Sequence, residues 1–205
     1  IIMSYILVVD NTKNLKKAFM TPKLIKCLKD SEVKYKILSE RKDLYKILNN
    51  EKDVLNILGV ILSGGPLCLS EALTIDSINK NIAVLTQLKD IPILGICFGF
   101  QVIVACYGGK IISMNREDTG QVVIYTKNKS KLFKKLGKDF IGYQSHKDKV
   151  RDVPPKFQVI AKSSNGIIQG IQNIKLKRYG CQFHPEGYEK TNIIISNFID
   201  ICFNQ

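Results

Sequence analysis

Short apolar runs alternate with longer amphipathic stretches through the first half of the chain, and this alternation restricts the fold more than any other sequence feature. The runs are rich in Val, Ile and Leu, as the buried strands of a parallel sheet are. The stretches between them repeat their apolar residues at helical spacing. The runs lie at residues 5–9, 34–38, 60–62 and 91–94, and the helical stretches at 15–28, 42–48, 71–88 and 101–107. This half is therefore predicted to be α/β, with crossover helices joining parallel strands.

The second half, after Gly109, carries shorter segments separated by turn residues such as Pro154-Pro155 and Asn165-Gly166. No internal repeat, linker or low-complexity segment separates the two halves, which favours a single domain over residues 1–205. The sequence thus predicts an open, mostly parallel twisted sheet flanked by helices, with an antiparallel extension at one edge. The predicted strands lie at 121–126, 157–162, 167–171 and 179–183, and a closing helix at 191–203.

Composition excludes several classes of protein. Of the 205 residues, 45% are hydrophobic and 24% are charged, which is typical of a globular domain and not of a disordered chain. The apolar start at residues 1–9 is too short to span a membrane. The net charge of +13 comes from lysines scattered along the chain, without the basic stripe and interleaved aromatics of a nucleic-acid-binding surface. We therefore expect neither a nucleic-acid nor a membrane partner.

The six cysteines show neither a metal-binding nor a disulfide pattern. They stand at positions 27, 68, 97, 106, 181 and 202 and form no Cys-x-x-Cys pair. Reduced thiols in a cytoplasmic protein are the simpler interpretation, and no metal site is predicted.

The strongest local signal is the segment PILGICFGFQ at residues 92–101, in which a buried strand turns into a helix with Cys97 at the apex. Gly95 and Gly99 flank the cysteine at two residues on either side, as a strained nucleophile elbow requires. The helix that follows directs its free N–H groups and positive dipole end at the sulfur, which favours the thiolate. The N–H of Phe98 can face the oxyanion of an acyl-transfer intermediate. The alternative is a small buried cysteine where a strand meets a helix.

The chain has only two histidines, His146 and His184. His184 ends an apolar strand and is followed by Pro185 and Glu186. Residues two apart in an extended segment point to the same side, so Glu186 can bind one ring nitrogen and leave the other for a thiol. Cys97, His184 and Glu186 thus supply a nucleophile, a base and an orienting carboxylate. An ordinary turn after a strand is the alternative for this tripeptide.

A glycine-rich turn follows the run at 60–62, with the sequence Ser63-Gly64-Gly65-Pro66. Two glycines let the backbone approach a ligand closely at the carboxyl end of a strand, where open α/β sheets bind ligands. The turn is similar to the SGGxDS loop of ATP pyrophosphatases, but Leu67-Cys68 stands where that loop needs Asp-Ser. We therefore reject an ATP site here, and the sequence contains no GxxxxGK[ST] phosphate loop.

Together, SGGP, GICFGFQ and the late HPE resemble the class I glutamine amidotransferases, which release ammonia from glutamine for a partner synthase. The resemblance covers nearly the whole chain and includes GGKI at residues 108–111. It implies a flavodoxin-like three-layer fold, a Cys97–His184–Glu186 triad, an oxyanion hole on the backbone of Gly65 and Phe98, and a glutamine contact at Gln101. It implies no cofactor in this chain, with ATP and magnesium bound only by the partner.

The segment QSHKDKV at residues 144–150 looks most like the SHxDxV segment of GMP synthetases, especially their separate archaeal-type glutaminase subunit. That resemblance implies that Ser145, Lys147 and Asp148 hold the backbone groups of glutamine. It also implies an ATP-pyrophosphatase partner that converts xanthosine monophosphate to GMP. The chain departs from the family at residues 10–14, DNTKN in place of DxGSQ or DNGGQ, and at Phe100, where His or Met is usual.

Three other functions stay open at this point. One is a stand-alone γ-glutamyl peptidase, since such enzymes of the same superfamily also use an elbow cysteine and HPE. Another is the glutaminase component of a different synthase. The last is a non-catalytic subunit that keeps only the fold, which the presence of Cys97, His184 and Glu186 disfavours.

Overall fold

The computed structural model describes residues 4–12, 20–70, 75–127 and 130–204. Helices and strands alternate in its first half, and strands dominate after the fifth helix. The strands are β1 (Tyr5–Val9), β2 (Tyr35–Leu38), β3 (Ile57–Leu62), β4 (Ile93–Ile96), β5 (Lys110–Thr126), β6 (Asp139–Asp152), β7 (Gln158–Ser163), β8 (Ile168–Asn173) and β9 (Arg178–Cys181). The helices are α1 (Thr21–Asp30), α2 (Arg41–Leu48), α3 (Glu51–Leu55), α4 (Ile75–Gln87), α5 (Phe98–Cys106) and α6 (Ile193–Phe203).

All nine strands form one sheet in the order β2-β1-β3-β4-β9-β8-β7-β5-β6. The pairs from β2 to β9 are parallel, and helices between the first four strands return the chain to the same end of the sheet. The pairs from β9 to β6 are antiparallel. The predicted fold class, a twisted sheet with an antiparallel edge extension, is confirmed.

Helices cover both faces of the parallel half. Alternate side chains of β1, such as Ile6 and Val8, pack with α1 and α6 on one face. Leu7 and Val9 point to the opposite face, where the core includes residues of α2, α4 and α5. This arrangement gives three layers. Among the described residues, no helix is long and apolar enough to cross a membrane.

The largest difference from the sequence prediction lies in the β5–β6 hairpin. We predicted only residues 121–126 as a strand, whereas β5 has 17 residues and β6 was not predicted as a strand. Short helix α3 was also not predicted, although the side chain of Asn50 accepts a hydrogen bond from the backbone of Asp53 at its start. The portions of the predicted helices at 15–19 and 71–74 lie outside the described residues.

Candidate active site

Cys97 lies at the sharp turn between β4 and α5, with the unusual backbone angles φ 49° and ψ −104°. Such angles are strained for a residue with a side chain and need the surrounding structure to hold them. A Cβ at Gly95 would lie 2.6 Å from the backbone of Gly99, and one at Gly99 would lie 2.2 Å from the carbonyl oxygen of Leu62. The two glycines are therefore required because the turn presses against its own helix and against β3.

The Cys97 sulfur is buried in a polar environment, with the residue 4% exposed. Its Sγ lies 3.6 Å from the backbone oxygen of Ser145, to which the thiol can donate. The side-chain amide of Gln182 donates to the sulfur at 3.9 Å. Cys97 also precedes the first residue of α5, Phe98, so the positive end of this helix lies beside the sulfur. The amide of Gln182 and the start of α5 thus both direct positive partial charge at the sulfur.

His184 and Glu186 form a buried pair, in which the Nδ1–H of the imidazole donates to Glu186 Oε1 at 2.8 Å. Burial opposes the imidazolium form, but the attraction of Glu186 and Cys97 outweighs it and holds the pKa of His184 well above its ordinary value. The backbone N–H of His184 donates to the oxygen of Tyr143 at 2.7 Å, which fixes the histidine against β6. The imidazole of His184 is thus oriented by Glu186 and lies, positively charged, beside Cys97.

The Gly64–Gly65 turn follows β3 and is enclosed between two neighbours. A Cβ at Gly64 would lie 2.6 Å from His184 Cε1, and one at Gly65 would lie 2.7 Å from the carbonyl oxygen of Asn11. The Asn11 N–H donates to Ser63 Oγ at 2.9 Å, and its side-chain amide donates to the Ser63 oxygen at 2.8 Å. Only glycine fits at both places, which holds the backbone of this turn beside the imidazole.

A cavity of about 370 Å³ opens above the Cys97 sulfur. Six of the predicted site residues line it. Phe98 follows Cys97 in the chain, His184 contacts Cys97, and Glu186 contacts His184. The described residues that line it are Gly65, Pro66, Leu67, Cys68, Cys97, Gln101, Glu117, Ser145, His146, Lys147 and Asp148.

Gln101 and Asp148 are buried in the wall of this cavity and bonded to the protein. The amide nitrogen of Gln101 donates to the backbone oxygen of Asp148 at 3.4 Å and to the side chain of Gln182 at 3.3 Å. The Asp148 carboxylate accepts from the backbone N–H of Ser70 at 2.9 Å and from its hydroxyl at 2.5 Å. Asp148 therefore joins β6 to the segment that follows the glycine turn.

Beyond the SGGP turn, four of the lining residues were not predicted as members of the site: Leu67, Cys68, Glu117 and His146. His146 is buried, and its Nδ1–H donates to the backbone oxygen of Asp148 at 2.9 Å. Glu117 reaches the cavity from β5, whose partner strand carries Ser145. The pairing of β5 with β6 would have suggested Glu117, but no local pattern marks it.

The site combines an elbow cysteine, a charged histidine and a buried carboxylate at the carboxyl end of a mostly parallel sheet. No group of three or more His, Cys, Asp and Glu side chains in the described portions of the chain is placed to hold a metal ion. Such an arrangement is typical of cysteine-dependent acyl-transfer enzymes built on open α/β sheets.

Comparison with known proteins identifies the family within this class. The family described as "Glutamine amidotransferase class-I" matches residues 7–201. The chain belongs to the class I glutamine amidotransferase family.

Individual relatives carry a more specific name. The glutamine-hydrolysing GMP synthase subunit of Methanococcus maripaludis is 38% identical over 151 residues, which are 71% of this chain and 74% of that protein. The glutamine-hydrolysing GMP synthase of Brachyspira hyodysenteriae is 38% identical over 70% of this chain and 27% of its own length. A crystal structure described as a putative GMP synthase subunit from Thermoplasma acidophilum has a TM-score of 0.77 at 25% identity, covering 98% of this chain and 95% of that one.

Proposed function

We propose that the chain hydrolyses L-glutamine to glutamate and ammonia through Cys97, His184 and Glu186, and that the ammonia is used to make GMP. The observation that carries the catalytic part is the contact of His184 with both Glu186 and Cys97 at the apex of the elbow. The names of the relatives support GMP synthesis as the destination of the ammonia.

In the first half of the reaction, the Cys97 thiolate attacks the side-chain amide carbon of glutamine and forms a C–S bond. The resulting oxyanion accepts hydrogen bonds from the backbone N–H groups of Gly65 and Phe98. The His184 imidazolium donates its proton to the amide nitrogen as the C–N bond breaks, which releases ammonia and leaves a γ-glutamyl thioester.

In the second half, neutral His184 takes a proton from water, and the oxygen attacks the thioester carbon. The C–S bond breaks, glutamate leaves and the thiolate returns beside a charged histidine. Glu186 keeps its hydrogen bond to Nδ1 throughout, which stabilises the imidazolium each time it forms. Gln101, Ser145, Lys147 and Asp148 position the substrate from the walls of the cavity, Asp148 by holding Ser70.

The acceptor of the ammonia lies on a different protein or domain. We assign to it the ATP-pyrophosphatase reaction that converts xanthosine monophosphate to GMP, with ATP and magnesium bound there. This chain itself needs no cofactor for the proposed chemistry, because the thiol, the imidazole and the backbone N–H groups supply every step. We place the reaction in the cytoplasm, which the six cysteines without a disulfide or zinc spacing support.

The test is glutamate release from L-glutamine by the purified chain, alone and with the ATP-pyrophosphatase component of a GMP synthase, ATP, magnesium and xanthosine monophosphate. We expect weak release alone and stimulation by the complete mixture. Cys97→Ala should abolish release while circular dichroism stays unchanged. Glutamate release that survives this substitution would overturn the catalytic assignment.

The same assay separates the alternatives. Faster turnover of glutathione than of glutamine would support the γ-glutamyl peptidase instead. If the chain has glutaminase activity but a cognate synthase neither binds the chain nor stimulates this activity, the ammonia has a different acceptor. A chain that is inactive with every substrate, and that a glutamine-like electrophile does not label at Cys97, would be a non-catalytic subunit.

A further inference from the structure

The proposed oxyanion donor on Gly65 is a backbone N–H, so its direction depends on how the peptide plane between Gly64 and Gly65 is turned. Neither glycine has a side chain that could limit this rotation. In a trans peptide the C=O and the N–H point in opposite directions, so whatever holds the Gly64 oxygen also sets the direction of the Gly65 N–H. The contacts of one carbonyl group therefore decide where this donor points.

The Gly64 oxygen is held by the buried side chain of Ser63. The Ser63 hydroxyl donates its single proton to this oxygen at 2.9 Å, and it accepts from the backbone N–H of Asn11 at 2.9 Å. The Gly65 N–H donates to no oxygen of the described residues, and Gly65 lines the cavity above Cys97. Ser63 thus draws the Gly64 oxygen into the protein, which turns the Gly65 N–H the opposite way and leaves it available to a ligand.

Two buried asparagines hold Ser63 in turn. The Asn11 side-chain amide donates to the backbone oxygen of Ser63 at 2.8 Å, and Asn11 Oδ1 accepts from Asn81 Nδ2 at 2.8 Å. The reverse contact, from Asn11 Nδ2 to Asn81 Oδ1, is 3.4 Å long. Asn11 follows β1 and is 2% exposed, and Asn81 lies in α4 and is 0% exposed. Three side chains in succession therefore connect α4 to the peptide between Gly64 and Gly65.

We propose that Ser63, Asn11 and Asn81 form a positioning relay that fixes the Gly65 N–H for the oxyanion of the reaction. The inference rests on the proposed function, which places an oxyanion beside Gly65. A donor that is fixed in advance stabilises the developing charge without having to reorient during the reaction. Because this charge develops only after substrate has bound, loss of the relay should lower kcat more than it raises KM.

A purely structural role is the alternative, because buried polar groups that bond to one another also stabilise a fold. Two buried residues away from the cavity offer matched controls. Ser130 Oγ donates to Gln172 Oε1 at 2.7 Å and accepts from the backbone N–H of Leu132 at 3.2 Å, as Ser63 Oγ donates and accepts at the site. Asn197 Nδ2 donates to two backbone oxygens at 3.0 and 2.7 Å.

The experiment measures three reactions of Cys97 in the parent chain, Ser63→Ala and Asn81→Ala, each after subtracting the rate of the same chain with Cys97→Ala. Glutamate release from L-glutamine gives kcat and KM. Acylation by p-nitrophenyl acetate forms a C–S bond through an oxyanion as p-nitrophenolate leaves, and it does not require glutamine. Alkylation by iodoacetamide forms a C–S bond as iodide leaves, and no oxyanion develops.

We expect kcat for glutamate release and the acylation rate to fall about 10- to 100-fold in Ser63→Ala, with KM changed less than about threefold. Asn81→Ala should cause a smaller fall in the same two quantities, because it acts through Asn11. The alkylation rate and its dependence on pH should stay within about twofold of the parent values in both variants. Ser130→Ala and Asn197→Ala should lower the midpoint of urea unfolding but leave all three reactions unchanged.

Equal falls in acylation and alkylation would show that Ser63→Ala disturbs Cys97 itself and would overturn the proposal. A Ser63→Ala chain that loses stability and keeps the parent kcat would overturn it as well. If the parent is acylated and alkylated at Cys97 but releases no glutamate, the proposed function fails, and the ratio of acylation to alkylation in Ser63→Ala still tests the relay. If Ser63→Ala does not fold, the same ratio in Asn81→Ala decides, and an unchanged ratio there would refute the relay.

Discussion

The two histidines of this chain lie near each other, yet their surroundings shift their pKa values in opposite directions. Burial lowers the pKa of His146, whereas Glu186 and Cys97 raise that of His184 against the effect of its burial. At neutral pH the ring of His146 is thus neutral and has a structural role, whereas the ring of His184 is charged and can donate a proton.

This difference predicts two separate titrations in the proton NMR spectrum. One imidazole should titrate below about pH 6.5 and the other above it, and His146→Asn should remove the lower one. Glu186→Gln keeps an acceptor for His184 Nδ1 but removes the charge, so it should move the upper titration down and leave the lower one in place. A Glu186→Gln variant in which the upper titration stays unmoved would show that the carboxylate is not what raises the pKa of His184.

The raised pKa of His184 fixes the sign of its own contribution to the pH dependence of stability. A histidine whose pKa is raised on folding stabilises the protein fully below about pH 6.5, and this contribution is lost as the pH rises through the folded-state pKa. Urea unfolding of the parent and Glu186→Gln should therefore differ most in acid, and the difference should shrink above neutrality. Each unit by which Glu186→Gln lowers the folded-state pKa of His184 should reduce the free energy of unfolding in acid by about 1.4 kcal/mol.

At the scale of single residues, the sequence predicted what local spacing determines and missed what strand pairing determines. His184 and Glu186 are two positions apart, and their contact is present as predicted. The predicted reason is wrong, because Pro185–Gly187 form a 3-10 turn after His184 and not an extended segment. The contact of Glu117 with Ser145 spans 28 positions and depends on the register of β5 against β6. No periodicity or motif reports such a register, because side chains outside the hydrophobic core do not constrain it.

The turn from β4 into α5 is the structural element on which the site depends, and its geometry makes a stability prediction. Gly99→Ala would place a methyl group 2.2 Å from the carbonyl oxygen of Leu62 in the neighbouring strand β3. Backbone atoms of a buried strand cannot move aside easily, so we expect unfolding free energy to fall by about 3 kcal/mol in urea titrations. We also expect glutamate release to be lost, since Cys97 would move with the turn.

Gly137→Ala is the matched control, because its new methyl group would approach no atom closer than 3.4 Å and would lie outside the site. Its unfolding midpoint and activity should stay close to those of the parent. Equal stability of the two variants would mean that the elbow tolerates a side chain at Gly99 and is not held by this packing.

Elements with a buried, apolar face were predictable, and those without one were not. The strand at residues 5–9 was predicted with its observed bounds because all five residues of β1 are buried and apolar. In β5 only Ile124 of 17 residues is buried, so the strand carries no hydrophobic pattern over most of its length. Hydrogen bonds to β6, which are invisible in composition, define its extent.

At the scale of the whole molecule, β9 joins the two halves of the sheet. It pairs parallel with β4 and antiparallel with β8, so the parallel half and the antiparallel half of the sheet are joined through this strand. Arg178 begins β9 and is fully buried. Its guanidinium donates to the hydroxyl of Tyr107 at the end of α5 and to backbone oxygens that include those of Lys89 and Ile91 between α4 and β4.

Arg178→Met should therefore destabilise both halves together. The methionine fills much of the same volume but leaves the backbone oxygens of Leu88, Lys89 and Ile91 without this donor, so unfolding free energy should fall by about 3 kcal/mol. Tyrosine fluorescence and far-ultraviolet circular dichroism should report a single urea transition in the parent and a single, lower one in the variant. Arg116→Met, at a side chain that is 89% exposed, should leave the midpoint unchanged. Because β9 is shared, one cooperative transition is what a single domain requires, and two separate transitions would divide the chain at this strand.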